Sequence, residues 1–305
     1  MSYRLKEKLI SLGLLAPSLI AIGVFVYGFI GRTLQVSFMD WNDIVSFMQG
    51  VHDYVGLENF RSLMQDTRFI TGLWNNFFFM VLFILGTLSV GILLAVFIND
   101  KPKGHYFFQN LYLFPFAVSF VVTGTVWRWI FSPGSPRSPR GINMLFYQLG
   151  VPELSWEWFT STGSIGPFNI ALVTIVIAAI WQFAGSTMAM WLAGLRGIPE
   201  QLIEAARIDG ASKWQIFTKI LFPMLKPITL SAIIILAHIS LKAFDLVYVM
   251  TGSGPRNVTD IPAVYMYETT FRGNNYSTGA GISIILLMMV GVLIIPYLIS
   301  TFREA

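Results

Sequence analysis

Four side chains able to carry charge or form hydrogen bonds, His238, Ser240, Lys242 and Asp245, fall within eight residues of an otherwise apolar stretch. Ionisable groups are costly in such surroundings, and they mark a binding or relay site or a pair that neutralises itself. Lys242 and Asp245 stand three apart, the spacing that places two residues on one helix face, so they can pair with each other. The alternative is a polar wall, in which Ser240 and the two charges offer hydrogen bonds to a passing solute or relay protons. Bond-breaking chemistry has no constellation to carry it. The chain has no glycine-rich loop ending in Lys-Ser or Lys-Thr to cradle a triphosphate, no Gly-x-Ser-x-Gly elbow and no His-Glu-x-x-His pair. His52, His105 and His238 are scattered, which is no metal-ligand spacing, and without cysteine there is no thiol nucleophile, thiolate site or disulfide framework.

A second chemistry-bearing stretch is Glu204-Ala205-Ala206-Arg207-Ile208-Asp209-Gly210-Ala211. Pro199 suits the start of a helix, and Gly210 suits the left-handed position that ends one. Ser212 and Gln215 form a capping box that starts a second helix, with Trp214, Phe217, Ile220 and Leu221 on one face until Pro223 and Pro227 stop it. The expected product is a bent helix-turn-helix whose acid, small residues and turn suit the docking of another protein. A DNA-reading helix-turn-helix would need a soluble domain around it, and here hydrophobic segments lie on both sides.

The positioning elements follow from composition. Hydrophobic residues make up 55% of 305 and charged residues 12%, and mean hydropathy is +0.65, well above that of an ordinary globular chain. Six segments reach the roughly 20 apolar residues that a bilayer core requires: 9–38, 73–98, 107–131, 168–195, 227–250 and 279–302. These define an all-α membrane protein, one transmembrane domain over 1–305, with the helix-turn-helix loop at 196–226 between the fourth and fifth spans. The first segment runs past the length of a signal-peptide core and has no convincing cleavage site before Asp40-Trp41-Asn42, so it reads as a retained span.

Orientation follows from Lys and Arg, which favour cytoplasmic loops. Arg4, Lys6, Lys8, Lys101, Lys103, Arg196, Arg207, Lys213, Lys219, Lys226 and Arg303 are eleven of the twenty basic residues and fall on one side of this topology. Both termini and the 196–226 loop are therefore expected in the cytoplasm. The formal charge of +4 and pI of 9.3 match this bias and anionic lipid headgroups, with no nucleic-acid partner needed. The outer stretches 40–72, 132–167 and 251–278 read as loops. The first carries a surface helix marked by Phe60, Leu63, Met64, Phe69 and Ile70. Trp127, Trp129, Trp156 and Trp158 read as an outer aromatic belt. Asn75 and Asn76 read as interhelical hydrogen-bonding groups, and Gly279-Ala280-Gly281 as close helix packing.

Pro199, Leu202, Glu204-Ala205-Ala206, Ile208-Asp209-Gly210-Ala211, Phe217, Ile220 and Pro223 together resemble the EAA loop of binding-protein-dependent ABC importer permeases. Tyr54 to Phe60 with Trp74-Asn75-Asn76, Pro115 to Trp127, Gly141-Ile142-Asn143, Trp181-Gln182, Leu192 to Leu195, and Phe244-Asp245 through Gly254-Pro255 resemble the sugar-permease branch across almost the whole chain. Departures are Ser253 for a usual glycine, Gly28 where proline is common, and Asn76 for a usual threonine.

The resemblance implies six transmembrane helices and a coupling helix formed by Glu204, Ala205, Ala206, Asp209, Gly210 and Ala211 that sits in a cleft of a cytoplasmic ATPase. It implies a solute cavity at Gln182, Phe183, Leu236, Ile239, Ser240 and Ala243, to which the charge reading adds Lys242 and Asp245. It also implies a second homologous permease in a heterodimer, two ATP-binding subunits that hold ATP and Mg in place of any cofactor here, and an extracytoplasmic solute-binding protein. The expected setting is the inner membrane of a prokaryote and the expected cargo a sugar or oligosaccharide. Glycerol 3-phosphate is the alternative cargo, and an ion-coupled secondary transporter the rival class. The chain itself is expected to be a transport subunit rather than an enzyme.

Overall fold

The computed structural model describes residues 3–41, 44–49, 53–135, 137–165 and 168–304, and they are mostly helical. Contacts group the chain into two units, 1–67 with 265–288 and 68–264 with 289–305.

In the first unit, α1 (Tyr3–Ile22) continues through a π-helical turn, Gly23–Gly28, into α2 (Phe29–Ser37). None of the apolar window of this rod is buried, which suits a helix solvated by lipid or by another chain. After α2 the chain turns into α3 (Ile44–Gln49) and α4 (Glu58–Gln65). Buried Asn59 closes the turn by donating to the carbonyls of Ser37 at 3.0 Å and Met39 at 2.8 Å, groups otherwise left open at the end of α2. Asp66 adopts an extended conformation and ends α4. The expected surface helix is thus α4 alone, because Phe69 and Ile70 fall beyond that break.

Ser277 Oγ accepts from the Trp41 amide at 2.6 Å. Gly279 admits Thr270 against its Cα, and Gly281 admits Leu63, where an added Cβ would lie 3.1 Å from the leucine. The Gly279-Ala280-Gly281 run does pack closely.

The second unit opens with α5 (Thr67–Asn99), followed by α6 (His105–Leu113), α7 (Phe120–Ile130), α8 (Gly141–Gln148) and α9 (Ile170–Arg196). Next come α10 (Glu200–Ile208), α11 (Lys213–Ile216), α12 (Phe222–Met224), α13 (Lys226–Leu241) and α14 (Phe244–Met250). Two helices join the units in sequence, α15 (Pro262–Tyr267) and α16 (Tyr276–Glu304). The strands are two-residue pairs: Gly134–Ser135 with Ser138–Pro139, and Ser164–Ile165 with Phe168–Asn169.

Four helical stretches among the described residues are long and apolar enough to cross a membrane: Ser11–Ser37, Thr67–Asn99, Ile170–Arg196 and Tyr276–Ile299. Two bent pairs bring the count to six if each is one span. His105–Ala117 meets Phe120–Ile130 at 100°, and Lys213–Met224 meets Lys226–Leu241 at 65°. The third and fifth expected spans are therefore not continuous helices. Pro115 lacks an amide hydrogen and Val118 is extended, which interrupts the third. In the fifth, Lys242 and Ala243 leave helical geometry between α13 and α14.

α9 is the most deeply buried of the candidate spans. Asn169 caps it by accepting from the Ala171 amide at 2.8 Å. Its lower half joins a core of Ala95, Ile98, Met188, Trp191, Leu192, Leu195 and Leu225. Close approach depends on small residues: a Cβ on Gly91 would lie 2.9 Å from Thr187, and one on Gly185 would collide with the Tyr112 carbonyl.

Candidate functional site

The helix-turn-helix is built as its residues require. Gly210 has φ +81°. Its amide donates to the Arg207 carbonyl at 3.1 Å, and that of Ala211 to Ala206 at 2.9 Å. These are the two bonds of a Schellman end, in which a left-handed residue satisfies carbonyls that the helix leaves open. Two residues on, Ser212 Oγ accepts from the Gln215 amide at 3.3 Å and Gln215 Oε1 from the Ser212 amide at 2.8 Å, which completes the capping box. Pro199 caps α10 from one position outside it.

Glu204, Ala205, Ile208 and Asp209 are exposed, whereas Ile203 and Ala206 are half-buried. Ile208 is 87% exposed, which puts an apolar side chain beside the acid of Glu204 on the open face of α10. Trp214 is 71% exposed, and buried Ile216 anchors α11 in its place. Trp214 nevertheless stacks on Phe217 with ring centroids 5.9 Å apart, as residues on one helix face do, and the π-helical turn Phe217–Leu221 follows directly.

The expected cavity residues separate into three groups. Gln182, 2% exposed, donates through Nε2 to the Val118 carbonyl at 2.8 Å, while its Oε1 is buried with no hydrogen-bond partner among the described residues. Phe183 is buried against Phe83, Phe116 and Phe120, with ring centroids 5.5–5.7 Å apart. Both thus sit at the break between α6 and α7. Leu236, Ser240 and Ala243 are buried, and Ile239 half-buried, on α13 and its end; Ser240 Oγ donates to its own helix at the Ala237 carbonyl, 2.7 Å away. Lys242 and Asp245 are exposed.

Of the two readings of Lys242 and Asp245, the ion pair is absent among the described residues. The spacing of three places two residues on one face only while the helix continues, and it stops between them. No hydrogen bond joins Gln182 to Ser240.

Contacts of the 251–261 and 132–167 loops carry polar groups that spacing does not reveal. Arg68 Nε lies 2.5 Å from Asp260 Oδ2, and Asn75 Nδ2 donates to the carbonyls of Val258 and Asp260. Asn75 therefore binds loop backbone, not another helix. Asn76 is buried, and its amide atoms have no partner among the described residues. Asn143 accepts from the Trp156 amide and the Trp158 indole and donates to the Trp156 carbonyl. Trp127 stacks on Phe131, which meets Trp158, and only Trp129 of that pair on α7 stands open at 70%.

Apolar candidate spans around an exposed, doubly capped helix-turn-helix define a membrane transport component. Residues 87–303 match the model of the binding-protein-dependent transport system inner membrane component family, and the chain belongs to that family. It is similar to a probable ABC transporter permease protein of Pyrococcus horikoshii, 41% identical over 95% of this chain and 94% of that protein. It is also similar to the xylose/arabinose import permease protein XacH of Haloferax volcanii, 34% identical over 93% and 86%. A solved bacterial ABC transporter involved in the import of the acidic polysaccharide alginate shares the fold, with a TM-score of 0.80, 21% identity and coverage of 98% of this chain and 97% of that one.

Proposed function

We propose that residues 1–305 act as one permease domain that passes a sugar or oligosaccharide across a prokaryotic cytoplasmic membrane, received from an extracytoplasmic binding protein. In this reading the two bent pairs complete six spans, and both termini and the 196–226 loop are cytoplasmic. The chain pairs with a second, similar permease and with two ATPase subunits, which hold ATP and Mg. The observation that carries the reading is the surface of α10: Glu204 and Ile208 stand exposed on a helix fixed at one end by Gly210 and followed at once by the Ser212–Gln215 cap. A rigid elbow with a charged and apolar face transmits force between subunits, and a frayed loop would not. In the same reading Gln182, Phe183, Leu236, Ile239, Ser240 and Ala243 supply the cavity wall, with an aromatic ring for sugar C–H faces and polar groups for hydroxyls.

A second cargo class, an anionic solute such as glycerol 3-phosphate, is favoured by one observation: Lys242 is exposed, and among the described residues no carboxylate lies in ion-pair range. The test is uptake in cells that carry the transporter with or without the partner ATPase gene, using labelled pentoses, hexoses and glycerol 3-phosphate. ATPase-dependent uptake of a sugar supports the reading. Uptake that survives the deletion and stops with a protonophore supports a secondary transporter instead.

A further inference from the structure

A cavity of about 740 Å³ opens between the last turns of α5 and the helix-turn-helix, and none of the residues assigned to the solute cavity lines it. Its wall includes Leu93 and Val96 of α5 and Leu221 of the π-helical turn, and its border includes Asp100, Arg207 and Lys213. Leu93 is 70% exposed, yet it belongs to a candidate span and so calls for apolar cover. Arg207 and Lys213 come from two helices on either side of the Gly210 turn. Among the described residues no carboxylate lies within ion-pair distance of either. The occupant must therefore join hydrocarbon to an anion, at the edge of the apolar zone.

We propose that this cavity binds one anionic glycerophospholipid. Its tails lie along Leu93, Val96 and Leu221, its phosphate sits between Arg207 and Lys213, and a headgroup hydroxyl donates to Asp100. Basic pockets at the ends of spans suit such headgroups, and the net single positive charge of the three border residues complements one phosphodiester. Ile203 and Arg207, one turn apart, face the lipid, while Glu204 and Ile208 stay exposed for the neighbouring subunit. The lipid thus bridges α5 and the elbow without competing for the docking face. The site is independent of which solute the transporter carries.

The test is native mass spectrometry of the assembled transporter released from nanodiscs with equal phosphatidylglycerol and phosphatidylcholine. One phosphatidylglycerol per copy of this chain should be retained in preference to phosphatidylcholine. Arg207→Gln with Lys213→Gln should lower that retention about thirtyfold, the product of two surface cations, while Arg207→Lys with Lys213→Arg should keep it. Leu93→Trp leaves every charge in place and narrows the groove, so it should lower retention even if the double variant fails to assemble. Equal retention of the two lipids, or retention unchanged by Leu93→Trp, overturns the proposal. So does displacement by inorganic phosphate alone, which would mark a free-anion site, or a cross-link from Cys at 93 to the partner permease, which would put protein in the cavity.

Discussion

Gln182 reaches across to donate a 2.8 Å hydrogen bond to the main-chain carbonyl of Val118, the residue at which the third candidate span loses its helix. A carbonyl freed inside an apolar zone costs several kcal/mol if nothing meets it. The side chain expected to greet solute therefore has a prior structural duty.

Gln182→Ala and Gln182→Leu should both leave the Val118 carbonyl without its donor, at a cost of about 1–3 kcal/mol. The solubilised transporter should melt at lower temperature with no solute present. An unchanged melting temperature in both variants would return Gln182 to a purely solute-facing role.

Gly210→Pro removes the amide that meets Arg207 and demands a negative φ where the chain has +81°. Glu204→Lys reverses the exposed charge of α10. Each should leave insertion intact and lower binding-protein-stimulated ATP hydrolysis on the order of tenfold, the effect of about 1.4 kcal/mol. Full stimulation in both would mean that the elbow does not couple.

Asp260→Asn keeps the size of a buried side chain and weakens its charge-assisted bond to Arg68. The expected loss is about 1.5–3 kcal/mol, seen as faster proteolysis of the 251–261 loop in spheroplasts. A cleavage rate equal to that of the unmodified protein would assign the loop's anchoring to Asn75 alone.

Orientation can be read directly, because the chain has no cysteine to remove. Cys at 103 or 213 should label only from the cytoplasm, and Cys at 137 or 257 only from outside. Reversal at either pair would refute the charge-bias topology.

Lys242→Met separates the two cargo classes. Loss of transport of an anionic solute, with sugar uptake retained, would identify the cation as a ligand. Ser240→Ala is the companion: its hydroxyl bonds only within α13, so stability should change by about 1 kcal/mol or less, and any large transport loss reports on the solute.

Helix caps and turns were legible because their signals are local. Gly210, Ser212 and Gln215 each act within five residues, and all three do in space what their types allow. Residues 9–38 and 168–195 were legible as spans because length and apolarity suffice. The breaks at Val118 and Lys242 were not, since hydropathy averages over a kink and treats both halves as one segment. The same blindness produced the Lys242–Asp245 pair, which presumes an unbroken helix. Arg68 with Asp260 and Gln182 with Val118 join positions far apart in sequence, where no periodicity speaks.

Two contacts on α9, Gln182 with the Val118 carbonyl and Gly185 with the Tyr112 carbonyl, lie one helical turn apart and grip the same bend of the third span. Two such points one turn apart oppose sliding of that bend along α9. The fifth span is interrupted elsewhere, at the 65° corner between α12 and α13 and at Lys242–Ala243, so in the proposed coupling it is the fifth span, rather than the third, that is left to answer the elbow.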